Sequence, residues 1–155
     1  FCAPHQQTHQ LQQIHHSINM HIIIGSDHAG FQLKQSLITR LHSAGHTTED
    51  VGTHSDDSCD YPDIAITAGE RLVDVLKTDA TARGILLCGS GIGMSIAANK
   101  VKGIYAALAT DEYMAAQGVE HDNANVLVLA ARINTNEQIN AMIDAFIAAE
   151  FALSL

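Results

Sequence analysis

The segment Gly84-Ile85-Leu86-Leu87-Cys88-Gly89-Ser90-Gly91-Ile92-Gly93-Met94-Ser95 decides the fold. Its apolar run, Ile85-Leu86-Leu87, has the length of a buried strand. The run ends on a thiol, and three alternating glycines then open a helical pattern over Ile92–Asn99. Glycine accepts positive φ, so several backbone N–H groups can converge on an anion there. The amino end of a helix adds a positive dipole end. Cys88 in this place is either a packed core thiol, as free cysteines commonly are, or a reactive one. The adjoining glycine turn weights the reading toward the second. The spacing G-S-G-I-G-M brings the third glycine one residue too early for a dinucleotide loop, and no Walker lysine follows. Gly89-Ser90-Gly91 also lacks the spacing of a nucleophile elbow.

Outward from that segment, strand and helix alternate. His21–Gly25 holds the run Ile22-Ile23-Ile24, and residues 30–44 place Leu33, Leu37, Ile38 and Leu41 on one helical face, stopped by Gly45. Thr47–Val51 reads as a second strand and Gly52–Asp60 as a polar loop. Pro62 suits a helix first turn, followed at helical spacing by Ile64, Ala65, Ala68, Leu72, Val75 and Leu76. After the third strand and helix come a strand at Ile104–Leu108, a helix at Asp111–Gln117 and a strand at Asn125–Leu129. A last helix starts near Asn134, with Glu137 as a capping-box-like partner. Five strands alternating with five helices predict a three-layer α/β/α, Rossmann-like domain around a parallel sheet, with ligands bound beyond the carboxyl ends of the strands.

Composition bounds what such a domain does. The chain has 155 residues, 46% hydrophobic and 16% charged, with no Trp and a formal net charge of −9. That size supports a single core. The acidity argues against nucleic-acid binding and requires positive contacts to any anionic ligand to be local. No apolar run approaches the ~20 residues that span a bilayer. Cys2, Cys59 and Cys88 make no disulfide framework or zinc pair, so a reducing cytoplasm is expected. Ten histidines include no H-E-x-x-H or similar spacing, so no metal and no cofactor are expected. Residues 1–19 are rich in Gln and His and read as a disordered extension, an expression remnant or an upstream-translated leader. Residues 20–155 read as the functional domain, with Met20 as the natural start.

Three further segments fall at strand ends. Gly25-Ser26-Asp27-His28-Ala29-Gly30 follows the first strand; Asp27 either binds hydroxyls or caps the helix. Val119-Glu120-His121-Asp122-Asn123-Ala124-Asn125 precedes the fifth; His121 is a plain loop residue or an acid/base. Asp60-Tyr61-Pro62 offers a ring that can pack on a sugar, though alone it says little.

Taken in order, Ile24–Phe31, Asp50-Val51-Gly52-Thr53, Asp60-Tyr61-Pro62, Cys88–Gly93, Ala97-Ala98-Asn99-Lys100 and Asn123-Ala124-Asn125-Val126-Leu127 resemble ribose-5-phosphate isomerase type B, whose family includes galactose-6-phosphate isomerase subunits. The resemblance covers about residues 20–149. It implies sheet order 2-1-3-5-4 and metal-free interconversion of ribose 5-phosphate and ribulose 5-phosphate through an enediolate, in the pentose phosphate pathway. It implies Cys88 as the base, the loop amides of Gly89, Gly91, Ile92 and Gly93 as oxyanion donors, and Ser90 as an aid to the proton shuttle. His121 would assist ring opening, Asp27 and Tyr61 would hold the sugar, and His28 and Arg132 the phosphate. It further implies a homodimer or tetramer whose sites combine both subunits.

The sequence departs from that pattern twice. Asp122 stands where the family usually has Asn, and a carboxylate cannot donate as an amide does. Its expected substrate-binding place is thereby open to Asn123, or Asp122 turns away. The family also commonly ends with two further arginines, whereas this sequence has only Arg40, Arg71, Arg83 and Arg132, which leaves Arg132 with Lys34 or Lys100 as helpers. A six-carbon sugar-phosphate isomerase (allose or galactose 6-phosphate) and a non-catalytic sugar-phosphate-binding module are the alternative readings.

Overall fold

The computed structural model describes residues 19–153. The extension read at residues 1–19 lies, apart from Asn19, outside the described residues, as does Cys2. Five strands, β1 (His21–Ser26), β2 (Thr47–Asp50), β3 (Arg83–Cys88), β4 (Ala106–Leu108) and β5 (Val126–Ala130), alternate with helices. The helices are α1 (Phe31–Ser43), α2 (Tyr61–Leu76), α3 (Ile92–Ala98), α4 (Glu112–Asp122) and α5 (Asn136–Ala148). The sheet order is β2-β1-β3-β5-β4, the expected one, and every pairing is parallel.

The period of two along each strand divides the core between the sheet's faces. Ile22, Ile24, Ile85, Leu87, Leu127 and Leu129 pack with Leu37 and Leu41 of α1 and with Ile139, Met142, Ile143 and Phe146 of α5. Ile23, Leu86, Cys88, Val126 and Val128 pack on the other face, against Ala65, Ala68 and Leu72 of α2 and Met94 and Ala97 of α3. Burying each such aliphatic side chain contributes about 1.5–3 kcal/mol, enough to fix the register of short strands that aromatics do not help. Arg83 lies on the Phe146 ring and donates to the carbonyls of Phe146 and Ala149, closing the end of α5. Burial pushes its guanidinium pKa down.

Several boundaries differ from the sequence reading. β4 starts at Ala106 rather than Ile104, because Asn125 Oδ1 accepts from Tyr105 N–H and Asn99 Oδ1 from Ala106 N–H, satisfying the backbone before the ladder begins. Asn99 itself caps α3 instead of continuing it. α4 runs to Asp122, five residues beyond Gln117, and stops where Asn123 turns left-handed at φ 54°. The last helix is capped by Thr135, whose box partner is Gln138 rather than Glu137. No helix among the described residues is long and apolar enough to cross a membrane.

Candidate active site

Cys88 closes β3 on the face covered by α2 and α3 and is 5% exposed. Gly91 N–H donates to its Sγ at 3.0 Å. That bond exists because Gly91 sits at φ 78°, turning the chain back over the thiol before α3 starts. A Cβ at Gly91 would fall 2.4 Å from Leu108 Cδ1.

The other two glycines answer a different need. Neither Gly89 nor Gly93 has positive φ, contrary to the expectation that all three serve the backbone turn. A Cβ at Gly93 would meet the Tyr61 ring at 2.6 Å, and one at Gly89 would meet Arg132 at 3.2 Å. Tyr61 and Arg132 thus lie on either side of the turn. Tyr61 is placed by the first turn of α2, and Arg132 by two backbone bonds beyond β5, Ala131 N–H to Cys88 O and Arg132 N–H to Gly89 O. Ser90 is exposed at the turn's tip, and Ile92 beside it is 57% exposed.

β1 delivers Asp27 to the same edge, where its N–H donates to Leu87 O, one residue from Cys88. Asp27 Oδ1 accepts from Gly30 N–H at 3.1 Å, so the capping alternative is one of its uses. His28 Nδ1 is buried with no hydrogen-bond partner among the described residues. The described residues therefore bring Asp27, His28, Tyr61, Cys88, Gly89, Ser90, Gly91, Ile92, Gly93 and Arg132 to one edge of the sheet.

His121 and Asp122 are elsewhere. They occupy the last turn of α4, not a loop, directly before β5 begins. β5 pairs Val126 with Gly84 and Ala130 with Cys88, so these two residues lie at the amino ends of the strands. Four residues of strand, about 13 Å, separate the two edges. A single chain does not bring His121 to Cys88.

The two lysines proposed as phosphate helpers are corrected by their positions. Lys34 is fully buried, with Nζ on Asp50 and on Thr53 O. Lys100 lies beyond the far end of α3, about 10 Å of helix from the glycine turn. Among the arginines, Arg40 pairs with Asp144, Arg71 with Glu49 and Asp74, and Arg83 caps α5. Glu49 beside Arg71 pushes that guanidinium's pKa further up. Arg132 is the arginine at the Cys88 edge. Among the described residues no group of three or more His, Cys, Asp or Glu could hold a metal ion. A cavity of about 780 Å³ lies at the opposite edge, lined by Met20, His46, Arg83, Tyr105 and Phe151, away from the thiol.

Comparison with known proteins identifies the family. The family model described as Ribose/Galactose Isomerase matches residues 22–154. A probable ribose-5-phosphate isomerase B of Mycoplasma genitalium is 39% identical over 135 residues, 86% of this chain and 87% of that protein. The ribose-5-phosphate isomerase B of Mycolicibacterium paratuberculosis is 43% identical over 129 residues, 83% and 79% of the two chains. Among solved structures, the Clostridium thermocellum ribose-5-phosphate isomerase B superposes with a TM-score of 0.81 at 41% identity, covering 87% of this chain and 88% of that one. The Mycoplasma genitalium enzyme, crystallised with bound ribulose 5-phosphate, gives a TM-score of 0.81 at 39% identity, covering 87% and 88%. With the sheet order, the glycine turn and these matches in agreement, the chain belongs to the ribose/galactose isomerase family.

Proposed function

We propose that the protein interconverts ribose 5-phosphate and ribulose 5-phosphate without a metal. The observation that carries this reading is the Cys88 thiol under the Gly91 N–H, in a turn flanked by Tyr61 and Arg132. In the open-chain aldose, the Cys88 thiolate removes the proton from C2. The C1 carbonyl takes the electron pair as an enediolate oxygen, held by amides of the Gly89–Gly93 turn. Ser90 moves the hydroxyl proton between O2 and O1, and the Cys88 thiol, its proton exchanging with solvent, protonates C1 and returns to thiolate, giving the ketose. Preorganised amides suit this chemistry because they meet the charge only as it forms. Asp27 and Tyr61 hold the sugar, and His28 and Arg132 hold the phosphate. Chelator-treated protein is expected to convert ribose 5-phosphate at the untreated rate, with a higher kcat/KM than for allose or galactose 6-phosphate. Absence of turnover on ribose 5-phosphate would overturn the assignment.

His121 enters the reading through a second copy. The active unit is a cytoplasmic homodimer in which the partner subunit's His121 opens the sugar ring, with Asp122 beside it. The placement of His121 at the opposite strand edge supports this, as do Ile92 and Ile96, each 57% exposed on α3. Mixing Cys88→Ala with His121→Ala chains, each inactive alone, is expected to restore about one quarter of normal activity, since half of randomly paired dimers carry one intact site. Mixed chains that stay as inactive as their parents, or activity in a monomer, would refute the shared site.

A further inference from the structure

The proposed reaction makes no use of Lys34, although a fully buried lysine is rare. Its Nζ lies 2.5 Å from Asp50 Oδ1, 2.6 Å from Thr53 O and 5.6 Å from the centre of the Phe31 ring. Asp50 Oδ1 also accepts from Gly52 N–H at 2.9 Å. The turn so held extends the β1–β2 pairing to the end of β1: Ser26 N–H donates to Gly52 O and Thr53 N–H to Ser26 O, each at 2.7 Å. Asp27 follows directly, tied to Leu87 O beside the thiol, and His28 comes next. Hydrogen bonds therefore run from a buried ammonium to Ser26, and the next two residues along the backbone are the substrate ligands assigned above.

Stability alone does not account for such a pair. Well-packed apolar residues often replace a buried ion pair with no loss of stability. What an apolar residue cannot do is fix the position of the Thr53 carbonyl and, through it, Ser26. We propose that Lys34 is a positioning residue, whose ammonium sets the Asp50–Thr53 turn and thereby the placement of Asp27 and His28 toward substrate. This rests on the reading of Asp27 and His28 as substrate ligands.

The test compares the unaltered protein with Lys34→Met and with Lys34→Met/Asp50→Asn. The single variant leaves Asp50 without its ammonium and reports on folding. The double variant removes both charges and keeps an acceptor for Gly52 N–H. It is expected to melt within about 5 °C of the parent. Its KM for ribose 5-phosphate should rise at least ~tenfold while kcat stays within ~threefold, since binding and not the chemical step is misplaced. Amide hydrogen exchange over Ser26–Gly30 and at Thr53 should quicken at least ~tenfold, with β3 and α5 unchanged. A folded double variant with the parent's KM and exchange would overturn the proposal, because a merely structural pair would leave both untouched. If the unaltered protein does not turn over ribose 5-phosphate, the substrate assignment fails separately. The exchange measurement then decides whether Lys34 holds this turn, and unchanged exchange refutes it.

Discussion

Replacing Cys88 with Ala is expected to lower kcat/KM for ribose 5-phosphate by about 10²–10⁴, the range for losing a general base. Taking 10³ as the middle, that is about 4 kcal/mol of transition-state stabilisation. The packing loss is much smaller. The thiol is one buried atom among Leu86, Met94 and Val128, so its removal resembles deletion of a single methylene, about 1 kcal/mol. In a domain of this length that moves Tm by roughly 2–4 °C. The two magnitudes separate a chemical role from a structural one. A melting curve close to the parent's, together with loss of solvent deuterium incorporation at C1 of the ketose, is the expected pair of results. A variant that keeps more than a tenth of the activity, or still exchanges that hydrogen, removes Cys88 from the reaction.

Gly91→Ala should be nearly as damaging, by another route. A left-handed backbone costs an L-residue about 1–2 kcal/mol, and the new methyl would fall 2.4 Å from Leu108 Cδ1. The Leu108 methyl can swing aside, so the protein is expected to fold with Tm lowered by several degrees. The turn itself cannot keep its shape, and the N–H now 3.0 Å from Cys88 Sγ leaves its place. In the proposed reaction this amide is also one of the set that holds the enediolate oxygen, and losing one such donor typically costs ~10²–10³ in kcat. Circular dichroism would verify the fold, and steady-state kinetics the rate. A folded Gly91→Ala protein within threefold of the parent kcat contradicts the role given to this amide.

These expectations were readable to different depths. The apolar runs Ile22–Ile24 and Ile85–Leu87, buried in the structure, announce strands because they are short and followed closely by glycine. The glycine turn is equally plain as a turn. What each glycine is for is not local information. Gly89 and Gly93 are small because Arg132 and Tyr61, over forty and thirty residues away in the chain, lie against them. The start of β4 is set by side chains of Asn99 and Asn125, and the end of α4 by the left-handed Asn123, which periodicity does not encode. Thr135 and Asn134 are both good caps, and only the reciprocal bonds with Gln138 distinguish them. Lys34 looked like a free cation because a lysine in a helix normally reaches water; its partner Asp50 sits sixteen residues on.

The opposed positions of Cys88 and His121 bear on how copies can assemble. Under the shared-site reading, each chain carries a thiol half at one edge of its sheet and an imidazole half at the other. Complementary halves at opposite ends of a body can join head to tail without closing, which leads to filaments with a vacant half at each tip. A two-fold pair is one closed solution, in which both halves of both chains are satisfied at once. On that reading, complete sites equal chains in number, and an assembly built from such pairs has no vacant half.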